Sequence, residues 1–481
     1  MKNFKISPFI ALIIGLVFCS CKDYFDVAYI KGTPTPDVVK ESMLTPYLLT
    51  QFMAENHDQA SGDYGYMSLQ LSSGTTQLFG FYPSFLTSGG YWEYSGSLKS
   101  AIQLKNIAIK NQNPNYEGIA QLIEAWGWTT LADRYSEVPF KEAFSFPAII
   151  QPHYDKSDVI YAYVEGLLNS AIANLQITTY NAKVGKDDLI NQGDMTKWLK
   201  YAYSLKARYA LRIMYAPGKT VATQAQTALA AAKSGLQSNT DNIEFKNYDA
   251  DGQWAPAYNN QRTLVYSYYP SVFMVNLLKT VSDPRLPVYF SPDYQGNYNG
   301  AITGQLRADI NFPSQTNRTS FVYATMNTML MAASENKFVE AEANLYAGTL
   351  ADAQTAFEAG IRLNMQRYSK YITNTQIDAF IASRPKLPSD KEKATEMIIN
   401  QKYIANYLET PEPQLDILRT GYPKLELNTN VIYSATLYYP RRLYIPEGEQ
   451  RANVNAPQNQ TGGMYEPNFR VWWDTHVTTP W

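Results

Sequence analysis

Thiols are almost absent from this chain. Its 481 residues hold two cysteines, Cys19 and Cys21, both close to the N-terminus. Downstream of them, disulfide staples, thiolate zinc sites and cysteine nucleophiles are excluded together. Histidine is scarce too: His57, His153 and His476 lie far apart, and no HExxH, Cys/His spacing or GxSxG occurs. Charge is sparse, at 17% of residues with a net charge of −2, against a usual ~25% charged. There is no strong basic run, so nucleic acid is not expected as a partner, because phosphate binding needs clustered Lys and Arg. After the first twenty residues no apolar run reaches the ~18 residues of a membrane-spanning helix.

What is plentiful is aromatic. Phe, Trp and Tyr make up 14% of the chain, with 38 tyrosines, and 45% of residues are hydrophobic, enough for a core. A surface low in charge and rich in Tyr suits neutral, ring-shaped or amphipathic ligands, since Tyr offers an apolar face and a hydroxyl.

The N-terminus reads as an export leader. Lys2 and Lys5 form its positive end, and Pro8 to Phe18 its apolar core, too short to span a bilayer. Cys21 follows small Ser20, whereas Cys19 follows bulky Phe18. A lipoprotein signal peptidase needs a small residue before the cysteine it frees, so Cys21 is the expected lipidated N-terminus. Removing residues 1–20 takes away Lys2 and Lys5 and no acid, moving the net charge from −2 to −4. The expected organisation is a leader over 1–20, a lipidated tether over 21–36, and a single domain over 37–481.

The clearest local pattern is a helical hairpin over Ala332 to Tyr368. Phe338, Ala341, Ala343, Leu345 and Tyr346 stripe its first helix. Gly348 is expected to stop that helix in the left-handed conformation, and Asp352 to Leu363 carry the second. Ala341, Gly348, Ala353 and Gly360 would let the two backbones approach, with Phe357 filling the groove. The Ala353/Phe357 spacing matches half of a tetratricopeptide pattern. Further helices are predicted over Asp37–His57, Ser97–Asn111, Tyr116–Tyr135, Tyr154–Leu175, Lys197–Met214 and Thr220–Leu236. Toward the C-terminus others follow near Ser271–Thr280 and over Ser389–Leu408 and Pro413–Arg419. The fold class is therefore mainly α, a degenerate helical repeat. Its pattern is interrupted by two irregular excursions: Asp58 to Tyr94, and Ser238 to Arg318, where turns and short hairpins are expected.

Several stretches in chain order resemble the SusD/RagB-like nutrient-binding lipoproteins of the Bacteroidetes outer membrane, in the branch called SusD-like group two. They are CKDYFDV (Cys21 to Val27), LADRYSEVPFKEAF (Leu131 to Phe144), WLKYAYSLKARYALR (Trp198 to Arg212), DPRLPVYFSP (Asp283 to Pro292) and EAEANLYAG (Glu340 to Gly348). QKYIANYLETPEPQLDILRTGYPKL (Gln401 to Leu425) and YPRRLYIPEGEQRANVNA (Tyr439 to Ala456) complete the set. The resemblance implies a tetratricopeptide-type scaffold of four degenerate helix pairs and a ligand face built from the excursions. It also implies outer-membrane anchoring, with Lys22-Asp23 as an export signal to the outer face. The implied partner is a SusC-like TonB-dependent transporter, over which the protein sits as a lid. One departure is plain: where the family often has an Arg-Arg pair, this chain reads Leu418-Arg419-Thr420.

The expected function is non-catalytic capture of an oligosaccharide, because sugar rings stack their C–H faces on Tyr and Trp. Candidate contact residues are Tyr64, Tyr66, Tyr82 and Trp92 in the first excursion, and Trp254, Tyr294 and Tyr298 in the second. Trp126, Trp128 and Trp198 lie within helix patterns and are expected in the core. YDADG (Tyr248 to Gly252) resembles part of a calcium loop but lacks the later carboxylate, so it reads as a turn; no metal and no cofactor are expected. The alternatives are a peptide ligand, as the RagB-like relatives imply, a surface glycoside hydrolase built on an unrecognised carboxylate pair, and a scaffold without ligand.

Overall fold

Helix-forming stretches with defined caps account for most of the architecture. The computed structural model describes residues 39–61, 63–72, 92–246, 269–302, 314–317, 319–321, 327–425, 441–443, 445–457 and 470–477. The N-terminal part holds α1 (Glu41–Ser61), α2 (Asp63–Met67), β1 (Leu71–Ser72), α3 (Trp92–Ser95), α4 (Ser97–Asn111) and α5 (Pro114–Tyr135). Next come β2 (Glu137–Pro139), β3 (Tyr154–Lys156), α6 (Ser157–Leu175), α7 (Met195–Arg212), α8 (Val221–Ser234) and β4 (Ile243–Phe245). The middle of the chain carries β5 (Tyr269–Pro270), α9 (Val272–Lys279), α10 (Leu286–Tyr289), β6 (Phe290–Ser291), β7 (Gln315–Thr316) and β8 (Thr328–Met331). It closes with α11 (Ala333–Ala347), α12 (Leu350–Gln366), α13 (Asn374–Ser383), α14 (Lys391–Ala405), α15 (Glu412–Thr420) and α16 (Glu447–Ala452).

The caps have side-chain chemistry behind them. The carboxylate of Asp194 accepts the backbone N–H groups of Thr196 at 3.0 Å and Lys197 at 3.4 Å at the start of α7. Thr220 and Thr349 do the same for α8 and α12. Successive helices pack in series: α4 on α5, α5 on α6, α6 on α7, α7 on α8, α8 on α11 and α11 on α12. α14 lies against α11, and α15 against α14. This mainly helical stack is the tetratricopeptide-like arrangement that the sequence pattern predicts. Trp126, Trp128 and Trp198 are core residues, as expected. Between α7, α8 and α11 the contact combines small side chains, Ala207, Ala210, Ala228, Ala232 and Ala343 among them, with Leu211, Met214, Leu229 and Val339. The β-elements are two-stranded antiparallel pairs: β1–β5, β2–β3, β4–β8 and β6–β7.

Three local expectations are corrected. Gly348 does end α11, but at φ −129° and ψ −143°, outside the left-handed region. Glycine is favoured there because a Cβ would stand 2.0 Å from Asn344 Oδ1 and force that side chain to move. The helix expected from Tyr154 starts at Ser157, because Tyr154–Lys156 pairs with Glu137–Pro139 instead. α13, which the periodicity did not predict, is held by a capping box in which Thr373 and Gln376 satisfy each other's backbone N–H.

Candidate functional site

Many of the charged residues in the family-like stretches are spent on the scaffold. Arg212 binds Asp133, and it meets both oxygens of Glu412 at 2.6 Å. Arg208 binds Glu335 at 2.8 Å, Lys402 binds Asp416 at 2.8 Å, and Arg419 bridges Glu342 at 2.5 Å and Asp416 at 3.0 Å. Asp133 also accepts hydrogen bonds from Tyr161 and the Trp473 indole, both at 2.6 Å. All nine ionisable members are buried. Four cations face five carboxylates, so one acid is in excess. Burial pushes the carboxyls of Asp133 and Glu335 above their usual range. Burial also opposes ionisation of Glu412, but Arg212, Arg208 and Lys402 outweigh it and hold that pKa at about 2. A second buried set joins Arg285 to Asp283 at 2.6 Å, to Asn364 at 2.9 Å and to Gln401 at 2.7 Å. A third joins Arg441 to Asp474 at 2.5 Å. With these groups paired and dry, the motifs define the frame and leave ligand contact to other residues.

The aromatics singled out from the sequence fall into three groups. Tyr64 and Tyr66 are buried in the core cluster rather than standing in solvent, with the Arg134 guanidinium 5.9 Å from the Tyr64 ring centroid. Tyr294 is 66% exposed. It rides on a turn that Asp293 pins by accepting the backbone N–H of Gln295 at 2.9 Å and of Asn297 at 2.8 Å, and the Asn299 amide at 2.8 Å. Those donors, Asn297 N–H foremost, hold the Asp293 carboxyl below its ordinary value. Tyr298 is partly buried against the core, and burial raises its phenol pKa. Trp92 opens the one-turn helix α3, but its side chain, like Tyr82 and Trp254, lies outside the described residues, as do Tyr248 to Gly252.

A cleft of about 800 Å³ opens between the β4–β8 ribbon and the C-terminal end of α12. At its floor Arg367 forks onto Glu409, at 2.8 Å and 2.5 Å, and lies 5.6 Å from the centroid of Tyr368. Burial takes the Tyr368 phenol well above its usual pKa. Beneath the cleft, Tyr368, Tyr289, Phe321 and Tyr407 form one aromatic cluster with ring centroids 4.7 to 6.3 Å apart. On one wall Glu244 accepts the Asn327 amide at 3.1 Å and pairs with Lys246 at 2.8 Å. On the other, Tyr371 is 39% exposed and donates its hydroxyl to the Thr319 carbonyl at 3.1 Å. Lys370 Nζ stands 5.3 Å from the Tyr371 ring centroid.

The histidines do not share this cleft. His153 meets Glu142 at 3.0 Å, and His476 stacks on Tyr215 with ring centroids 3.8 Å apart; the His57 side chain lies outside the described residues. Among the described residues no cluster of His, Cys, Asp and Glu could hold a metal ion, and no helix is long and apolar enough to cross a membrane. Sequence reasoning missed the cleft because it sought aromatic contacts within the long excursions, whereas the second excursion gives the cleft only polar residues, Asn239, Asn242 and Glu244, and its exposed ring comes from Tyr371. The available signal was short: Arg367, Tyr368, Lys370 and Tyr371 crowd the link between α12 and α13.

Helices stacked in series beneath loops that carry a polar, aromatic-edged cleft define a helical-repeat binding scaffold. Comparison with known proteins narrows that class. The chain belongs to the SusD-like family described as starch-binding and associating with the outer membrane, whose model matches residues 34–446. The family is one of non-catalytic, surface glycan-binding proteins. Among solved structures the chain is similar to a chitin-binding SusD homolog from Flavobacterium johnsoniae, at 21% identity and TM-score 0.73 over 90% of this chain and 99% of that one. It is also similar to a SusD/RagB family protein from Bacteroides thetaiotaomicron, at 21% identity and TM-score 0.75 over 91% and 99%. A SusD homolog from Bacteroides fragilis matches at 21% identity and TM-score 0.73 over 89% and 99%. At that identity these likenesses carry the fold alone. No curated protein matches the chain significantly.

Proposed function

We propose that the protein is a cell-surface lipoprotein, anchored through Cys21, that captures an oligosaccharide and delivers it to a SusC-like TonB-dependent transporter. In this reading residues 1–20 are a leader, 21–36 a tether, and 37–481 one ligand-binding domain. The observation that carries it is Tyr294, an aromatic ring held out in solvent on a turn made rigid by Asp293. A preorganised ring binds a sugar face with little ordering cost. Trp92, Tyr82 and Trp254 are proposed to extend that surface, with Tyr298 supporting it, while the buried Tyr64 and Tyr66 pack in the core. Family membership supports the ligand class. The chitin-binding relative makes N-acetylglucosamine oligomers the first ligands to try.

The test is purification from native outer membranes in mild detergent. A barrel partner of ~100 kDa at equal stoichiometry is expected, the size class of a plugged barrel of ~22 strands. A protein that arrives alone overturns the transporter part. A co-purified peptide in place of a glycan replaces the ligand class.

A further inference from the structure

We propose that the cleft between the β4–β8 ribbon and the end of α12 is itself a ligand site, taking one or two rings of a neutral oligosaccharide with Tyr371 as the stacking platform. This rests on the reading of the chain as a glycan binder and adds a site whose stacking ring, Tyr371, lies outside both sequence excursions, with Asn239, Asn242 and Glu244 at the start of the second excursion among its lining.

Four observations converge on it. The volume, about 800 Å³, lies within the range of roughly 300–1,000 Å³ typical of small-molecule sites. Tyr371 is exposed, yet its hydroxyl is tied to the Thr319 carbonyl at 3.1 Å. Asn317 fixes that segment in turn by accepting the Thr319 N–H at 2.9 Å. The ring is thus presented in one orientation, and stacking on it freezes little. The charges that line the cleft are largely paired off: Arg367 with Glu409, Glu244 with the neighbouring Lys246, and Lys370 against the Tyr371 ring. An anionic ligand would meet two carboxylates and a cationic one two cations, whereas a neutral ligand meets no opposing net charge. Finally, the rim mixes a carboxylate acceptor, an amide and an ammonium donor in Glu244, Asn327 and Lys370. Hydroxyl groups both donate and accept, so they satisfy such a set where a purely acceptor or purely donor ligand leaves partners unmet. A pyranose supplies both parts, an apolar C–H face for Tyr371 and hydroxyls for the rim.

The test is titration calorimetry of the purified full chain with neutral chito-, malto- and xylo-oligosaccharides and with uronate oligomers. The variants are Tyr371→Ala, Tyr371→Phe, Lys370→Gln and Tyr294→Ala. For whichever neutral glycan binds the wild type, Tyr371→Ala is expected to weaken affinity about tenfold. Tyr371→Phe keeps the ring and should stay within about threefold. The melting temperature of Tyr371→Ala should match the wild type, since the side chain is at the surface. If a neutral glycan binds and Tyr371→Ala binds it equally well, the cleft assignment is overturned while the glycan reading stands. Loss of binding in Tyr294→Ala alone overturns the cleft assignment in the same way. Tighter binding of uronates than of neutral sugars overturns the neutral class. If no glycan binds the wild type, the glycan reading fails, and this site fails with it.

Discussion

Arg212 sits where two carboxylates need it. It is buried, bonded to Asp133 and forked onto Glu412 across a gap of 200 residues in sequence. Replacing it by Met removes the cation and strands both acids in a dry environment. The expected loss is ~3–5 kcal/mol, read as a shift of the denaturant midpoint. By contrast, removing the exposed Lys386–Glu358 pair should change stability by less than about 1 kcal/mol. The same cluster sets an acid limb. Glu412 has its folded pKa depressed to about 2 from 4.5, so its stabilisation is complete above pH 4.5 and is lost as pH falls from 4.5 toward 2. Asp133 and Glu335 run oppositely: their raised pKa values mean that they cost stability at neutral pH and return it on protonation. Stability measured against pH should therefore lose part of its acid limb in Glu412→Gln; an unchanged limb would contradict the assignment.

At the scale of the element, the α11–α12 hairpin depends on close approach. A Cβ on Gly360 would stand 2.8 Å from the Phe338 ring, which itself lies edge-on to Phe357 with centroids 6.2 Å apart. Gly360→Ala is expected to cost ~1–3 kcal/mol through overpacking. Gly166 in α6 has open space around its missing Cβ, so Gly166→Ala should be neutral or stabilise by up to ~1 kcal/mol through helix propensity. In thermal melts the midpoint of Gly360→Ala should fall, while that of Gly166→Ala should hold or rise. Helices of this kind were legible because periodicity and caps are local: the start at Thr220 and the 97–111 span fall where the pattern puts them. α13 escaped because its capping box, Thr373 with Gln376, opens only ten residues with a weak stripe. Tyr154–Lys156 reads as helix from local pattern because its partner strand is fifteen or more residues away, and no local periodicity reports that pairing.

At the scale of the whole molecule, the proposed address is testable through one atom. Cys21→Ala should abolish incorporation of radiolabelled palmitate and leave the protein soluble or mislocalised. Retention of label by that variant would remove Cys21 as the lipid site. The binding surface also belongs to this scale. Tyr294 lies on the turn that follows β6, whereas Tyr371 lies in the link between α12 and α13 and is held by the Thr319 carbonyl beyond β7.

By itself the sequence determined what is local or compositional: the spans of most helices, the export-leader pattern, the absence of thiols downstream, and the lack of a basic stretch. The stretches Leu131–Phe144, Trp198–Arg212, Glu340–Gly348 and Gln401–Leu425 also marked the family. What those stretches do was decided only by tertiary structure. Folding brings Asp133, Arg208, Arg212, Glu342, Glu412 and Arg419 into one buried network and leaves Tyr371, in the short link between α12 and α13, at the mouth of a cleft. The reason is physical. Periodicity and capping act between residues three or four apart, whereas ion pairing and burial depend on distances in space between residues far apart along the chain.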